Sequence, residues 1–162
     1  MKKTLLASIM VVVALVGCSS PTIQKTILPV SKEVTCVEGI AGKEFKYLAW
    51  GIGSDNAQAE EDALKAGVYA ALVGGAAGGN CVALLNANER ETSKEFINSF
   101  FADETSWRSY VRATNPSKME ADRRMKLQDG RVKLGVEVVV STTQLREMLE
   151  VKGVIKKMKY GR

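Results

Sequence analysis

The stretch from residue 121 to residue 149 constrains the fold of this chain more than any other. Asp129-Gly130 is a strong two-residue turn signal, because both central positions of a type I′ turn need positive φ. Beyond it Val132, Leu134, Val136, Val138 and Val140 alternate with Lys133, Gly135, Glu137 and Val139, the period of a strand with one apolar face. Counting back from a two-residue turn pairs Leu127 with Val132, Met125 with Leu134, Arg123 with Val136 and Ala121 with Val138, and turns that face to the core. Ser141 and Gln144 then open a helix carrying Leu145, Met148 and Leu149, and Gly153 ends it. A hairpin feeding an amphipathic helix predicts a sheet covered by helices.

Earlier segments add to the same picture. Residues 25–38 mix β-branched side chains with Pro29 and predict an edge strand. Phe45 to Trp50 reads as a strand that ends in a tight turn at Gly51-Ile52-Gly53. The third glycine of a dinucleotide fingerprint is missing, since Asn56 stands in its place, so the glycines are read as structural. Asp55 with Gln58 opens a helix with Ala57, Leu64, Val68, Ala71 and Leu72 on one stripe and a Glu61/Lys65 pair on the other side. Glu60-Glu61-Asp62 diverge around that helix and read as a solvated face, not a metal site. Gly74-Gly75 stops the helix. The loop to Gly79 lacks the Lys-Ser/Thr pair of a P-loop and reads as a linker. Asn88 with Glu91 opens a second helical pattern, in which Phe96, Ile97, Phe100 and Phe101, continued by Trp107, form a core-facing stripe; the alternative is an exposed partner-binding face.

The chain begins with Met1-Lys2-Lys3-Thr4 and an apolar run from Leu5 to Val16, too short to span a bilayer as a mature helix, which reads as an export signal. Leu15-Val16-Gly17-Cys18 resembles the lipobox of bacterial lipoproteins. That resemblance implies removal of residues 1–17 as the signal peptide and acyl chains, palmitate among them, on Cys18. Ser19, where enterobacterial sorting would read Asp as retention, is similar to an outer-membrane address. Residues 18–30 then form a tether, 31–155 a single domain and 156–162 a basic tail that either touches lipid phosphates or is simply a soluble end.

The absence of histidine removes the commonest general base, the usual zinc ligand and every Ser-His or Cys-His mechanism, so no catalytic residue, metal or cofactor is expected. Loss of Lys2 and Lys3 with the signal lowers the formal charge from +5 to +3, a mild excess that gives no nucleic-acid signature. In an oxidising compartment Cys36 and Cys81 are a candidate disulfide; otherwise they are two small buried hydrophobes. Arg123, placed by the hairpin register among apolar partners, either snorkels to water or serves as a buried anion contact.

Gly51-x-Gly53 followed by Ala57, Ala59, Ala63, Ala66, Ala70 and Ala71 resembles a small α+β domain of bacterial envelope lipoproteins, flagellar outer-membrane assembly lipoproteins among them. The resemblance covers residues 45–73 and, more loosely, 123–149. The segment from Phe96 to Trp107 has no counterpart in it. The expected protein is an α+β fold, a small, largely antiparallel sheet packed against two or three helices. It is expected to be lipid-anchored and non-catalytic, at the outer membrane, with a structural or scaffolding role beside a protein partner or further copies of itself. The alternative is a periplasm-facing binding module for a small anionic or glycan ligand, with a concave pocket around Arg123 or Trp50.

Overall fold

A computed structural model describes residues 26–40, 43–114 and 121–157. The signal, Cys18, tether residues up to 25 and the tail from residue 158 lie outside the described residues. Among those described, five strands form one antiparallel sheet: β1 (Val34–Ile40), β2 (Glu44–Gly53), β3 (Val111–Ala113), β4 (Arg124–Lys126) and β5 (Val132–Ser141). They lie in the order β1-β2-β5-β3, and β4 shares the second edge of β5 with β3. The helices are α1 (Asn56–Tyr69), α2 (Ala87–Thr92), α3 (Lys94–Ala102), α4 (Glu104–Arg108) and α5 (Thr142–Val151), more than the two or three expected. The fold is α+β.

The central pair β2 and β5 sets the geometry. On β2, Tyr47, Ala49, Gly51 and Gly53 are buried under α1 while the residues between them are half-exposed. On β5, Val132, Leu134, Val138 and Val140 are buried, so the apolar face does turn to the core. Gly51 and Gly53 are not a turn, because β2 continues through both of them. A Cβ on Gly51 would overlap the backbone of Ala59 and Ala63, and one on Gly53 the backbone of Gln58 and Ala59. The glycines exist so that the helix backbone can lie directly on the strand, and Ala59, Ala63 and Ala66 complete that close contact from the helix side. Ala57, expected on the buried stripe, is exposed; Ala59 takes that place. Asp55 does cap α1, its carboxylate accepting from the Gln58 amide at 2.9 Å. The helix runs into a π-helical turn, Ala70–Gly74, before Gly75 at φ 66° breaks it.

The hairpin departs from its expected register by one residue. Leu127 N–H donates to the Arg131 carbonyl at 2.8 Å and Gly130 N–H to the Leu127 carbonyl at 3.0 Å, which closes a three-residue loop with Gly130 at φ 85°. The Asp129 carboxylate fixes this loop by accepting from the Arg131 amide at 3.1 Å and its Nε at 2.7 Å. The observed pairs are therefore Arg124 with Leu134, Met125 with Lys133 and Lys126 with Val132. A one-residue slip exchanges the two faces of a strand, so Met125, expected in the core, is 42% exposed. Residues 121–123 form a 3₁₀ turn instead of continuing the strand, and Arg123 leaves the core face.

The aromatic stripe is core. Ile97, Phe100, Phe101 and Trp107 are buried and Phe96 packs against them. Phe100 meets Phe101 edge-on at 5.3 Å, and Phe101 meets Tyr69 at 5.9 Å, so α3 is held against the C-terminal end of α1. The cap of α2 falls two residues before the expected Asn88. Asn86 and Glu89 form a reciprocal capping box with two bonds of 2.9 Å. Ser141 begins α5 without a side-chain capping bond. The glycine-rich loop is more than a linker, because Ala77 pairs with the outer edge of β1 through Cys36 N–H to Ala77 O at 2.8 Å and Ala77 N–H to Val34 O at 3.2 Å.

Candidate functional site

The face of the sheet turned away from α1 carries the chain's polar chemistry. Alternation places Lys46, Leu48, Trp50 and Ile52 of β2 beside Lys133, Gly135, Glu137 and Val139 of β5 on that face. Gly135 matters here: a Cβ at this position would stand 3.2 Å from Trp50 Cη2 and 3.3 Å from Arg123 Cβ, so the missing side chain lets the indole and the arginine close over the strand. Lys133 Nζ lies 5.0 Å from the Trp50 ring centroid and 2.6 Å from Glu33. Glu137 gathers Arg123 Nη1 at 3.1 Å and Lys46 Nζ at 3.3 Å. Those two cations hold its carboxyl below the ordinary carboxylate range. At the far corner Arg112 meets Glu44 at 2.9 Å, which lowers the Glu44 pKa and raises that of Arg112.

The structure thus brings together Arg123 and Trp50, the two residues around which a ligand pocket was expected. It commits the Arg123 guanidinium to Glu137 on that face. Cys36 and Cys81 are joined by a disulfide with their Cα atoms 5.8 Å apart, tying β1 to the chain that follows the glycine-rich loop.

Asp62 is the residue that sequence reasoning misplaced. Within the expected solvated face it is only 9% exposed, and its carboxylate accepts three backbone bonds: from Val30 N–H at 2.7 Å, Ile52 N–H at 2.9 Å and Ser31 N–H at 3.1 Å. The ladder between β1 and β2 stops at Val34, with one more bond from Trp50 N–H to Glu33 O at 2.9 Å. Past that point Ile52 has no β1 partner, and Asp62 supplies the acceptor on that side. Burial pushes the Asp62 carboxyl above its ordinary range, against the pull of its three amide bonds and of Lys65. Lys65, expected on the solvated side, is 5% exposed with Nζ 5.4 Å from the Trp107 ring centroid. The signal that could have exposed this arrangement is positional: of Glu60, Glu61 and Asp62, only Asp62 stands three residues after Ala59 and four before Ala66, on the alanine stripe that lies over the glycines of β2.

Concavities open elsewhere among the described residues. One, of about 880 Å³, runs between the glycine-rich loop and α2 past Lys32 and Arg90, whose Nη1 donates to the Val73 carbonyl at 2.9 Å. A smaller one of about 390 Å³ lies between α1 and α4 and is lined by Glu60, Glu61, Glu104, Trp107 and Arg108. Within the core the Tyr47 hydroxyl and Trp107 Nε1 meet no hydrogen-bond partner among the described residues, and burial pushes the Tyr47 phenol well up. The described residues hold no group of three or more side chains suited to a metal ion. No described helix is long and apolar enough to cross a membrane.

Fold and site together define an α+β domain with one helix-covered sheet face and one half-open, charge-latticed face. Compared with protein-family models, curated proteins and solved structures, the chain matches none.

Proposed function

We propose that this chain is a lipid-anchored, non-catalytic protein of the bacterial cell envelope, held at the outer membrane through Cys18, with a structural or scaffolding role in an envelope assembly. The observation that carries the reading is how the fold treats the residues where the tether ends. Val30 and Ser31 are fixed to the buried Asp62, and Glu33 is fixed to Lys133, so force applied at Cys18 passes straight into α1 and the central strands. A disulfide across β1 suits the oxidising compartment that the lipobox implies. The carboxylates with displaced pKa values serve structure: Glu137, Glu44 and Asp129 pair with basic side chains, Asp103 with hydroxyls and an amide, and Asp62 with amides.

The test is the intact mass and partitioning of the mature protein. The parent is expected to carry lipid mass on Cys18 and to enter the detergent phase, and Cys18→Ser to lose both. A mature species of unchanged mass in that variant would end the reading. Photo-crosslinking from position 48 on the half-open face is expected to capture an envelope protein or a second copy of this chain, and a clean negative there removes the scaffolding role.

A second reading, a module for a small anionic or glycan ligand, draws on Trp50. Its half-exposed ring, beside Lys133 and Arg123, is an apolar plate rimmed by cations. Quenching of Trp50 fluorescence by envelope oligosaccharides, abolished in Trp50→Ala, would favour this reading over scaffolding.

A further inference from the structure

We propose that the basic β4–β5 hairpin docks on the anionic phospholipid headgroups of the membrane that holds the lipid anchor, and so sets which side of the domain faces that membrane. The proposal rests on the anchoring reading above.

Topology gives the first argument. β1 begins at Val34, β2 ends at Gly53 and β5 begins at Val132, and antiparallel pairing puts these three points at one end of the sheet. The chain arriving from Cys18 therefore meets the fold at the same end as the hairpin loop. Asp62 holds residues 30 and 31 beside Ile52, Ile52 pairs with Lys133, and Lys133 pairs with Met125. With strands about 4.8 Å apart, that row spans about 15 Å. Eight chain steps separate Cys18 from Thr26, a reach of at most about 29 Å. The hairpin end therefore lies within reach of the lipid surface.

Charge gives the second. Residues 122–133 carry Arg123, Arg124, Lys126, Arg131 and Lys133 against Asp122 and Asp129, a formal +3, with Arg123 and Lys133 paired to Glu137 and Glu33 outside the segment. The whole mature chain is also +3, so everything outside this segment sums to zero. Arg124 and Lys126 are exposed and sit within salt-bridge distance of no described carboxylate; the partner of Arg124 Nε is the neutral Asn56 side chain at 2.9 Å. Met125, on the opposite face of β4 and paired with Lys133, is 42% exposed, and Ile27 and Val30, where the tether joins the fold, are 50% and 45% exposed. Exposed cations together with exposed apolar side chains, at the end of the fold where the anchor enters, fit an anionic headgroup layer.

The experiment uses the mature acylated protein reconstituted into vesicles of phosphatidylcholine, with or without phosphatidylglycerol, and reads flotation together with amide exchange. The protein should float with both kinds of vesicle. Exchange at residues 124–133 should slow on the order of tenfold only where phosphatidylglycerol is present, and high salt should reverse the protection. The double variant Arg124→Glu/Lys126→Glu should still float with both and lose the protection, with exchange in β2 unchanged. Flotation with both vesicles but equal hairpin exchange overturns the docking and leaves the anchor standing. Flotation with phosphatidylglycerol vesicles alone overturns the anchor and leaves the headgroup contact standing. Flotation with neither overturns both.

Discussion

Replacing Asp62 with asparagine tests the centre of this structure with the smallest change of shape. The carboxylate takes Val30 N–H on Oδ1 and the amides of Ser31 and Ile52 on Oδ2. Asparagine keeps one acceptor oxygen. Set in the Oδ2 position it preserves the Ser31 and Ile52 bonds and turns its own NH₂ toward the Val30 amide, donor against donor. One lost bond and one stranded amide amount to about 1–3 kcal/mol. Asp62→Ala loses all three bonds and strands three amides, at least about 3 kcal/mol at about 1 kcal/mol or more each. Both losses fit within the 5–15 kcal/mol typical of a domain, so both variants should fold. Urea denaturation should show a lower midpoint at unchanged slope, and amide exchange at Ile52 should accelerate in Asp62→Ala more than in Asp62→Asn.

The pH dependence of this variant has a definite sign. Burial holds the Asp62 pKa above its unfolded value, so the folded chain binds that proton more tightly than the unfolded chain does. Stability carried by this group is then fullest below the unfolded value of about 3.9 and falls as pH rises through the folded pKa. Asparagine does not titrate there, and its deficit against the parent should be larger at the acid end of that window than at neutral pH. An Asp62→Asn protein within about 0.5 kcal/mol of the parent, with Ile52 exchange unchanged, would refute the claim that this carboxylate staples the start of the fold to β2.

Other perturbations probe separate parts. Gly51→Ala drives a methyl group into the backbone of α1 and should cost at least the roughly 3 kcal/mol at the top of the overpacking range, seen as loss of cooperative melting. Reducing the Cys36–Cys81 bridge, which spans 45 positions, should destabilise by about 4 kcal/mol in thermal melts, while full alkylation of both thiols in the unreduced, denatured protein would remove the bridge itself. Arg123 and Lys46 depress the Glu137 pKa, so its contribution is present above the unfolded value of about 4.3 and is lost as pH falls through the folded value. Glu137→Gln should flatten that acid limb, and an unchanged pH profile would count against the Arg123–Glu137–Lys46 group.

Much of the molecule is written in short-range pattern. Alternation along Val132–Val140, the Asp55 cap, the Phe96–Trp107 stripe and the breaks at Gly75 and Gly153 are each visible within a few residues, because period and turn chemistry are local properties. The α+β class follows from them. Tertiary structure decided what those elements do to one another. The one-residue slip of β4 depends on a loop bonded through Asp129 and Arg131, and it alone moved Met125 out of the core and Arg123 onto the Glu137 face. Gly51 and Gly53 look like a turn in one dimension and prove to be a bed for α1 in three. Asp62 looked solvated because neighbouring helical residues diverge, whereas its surroundings were set by an amide on β2 that β1 stops too soon to pair. A sequence displays which side chains a segment offers. Which backbone donors are left over, and what reaches them, is settled only when distant segments meet.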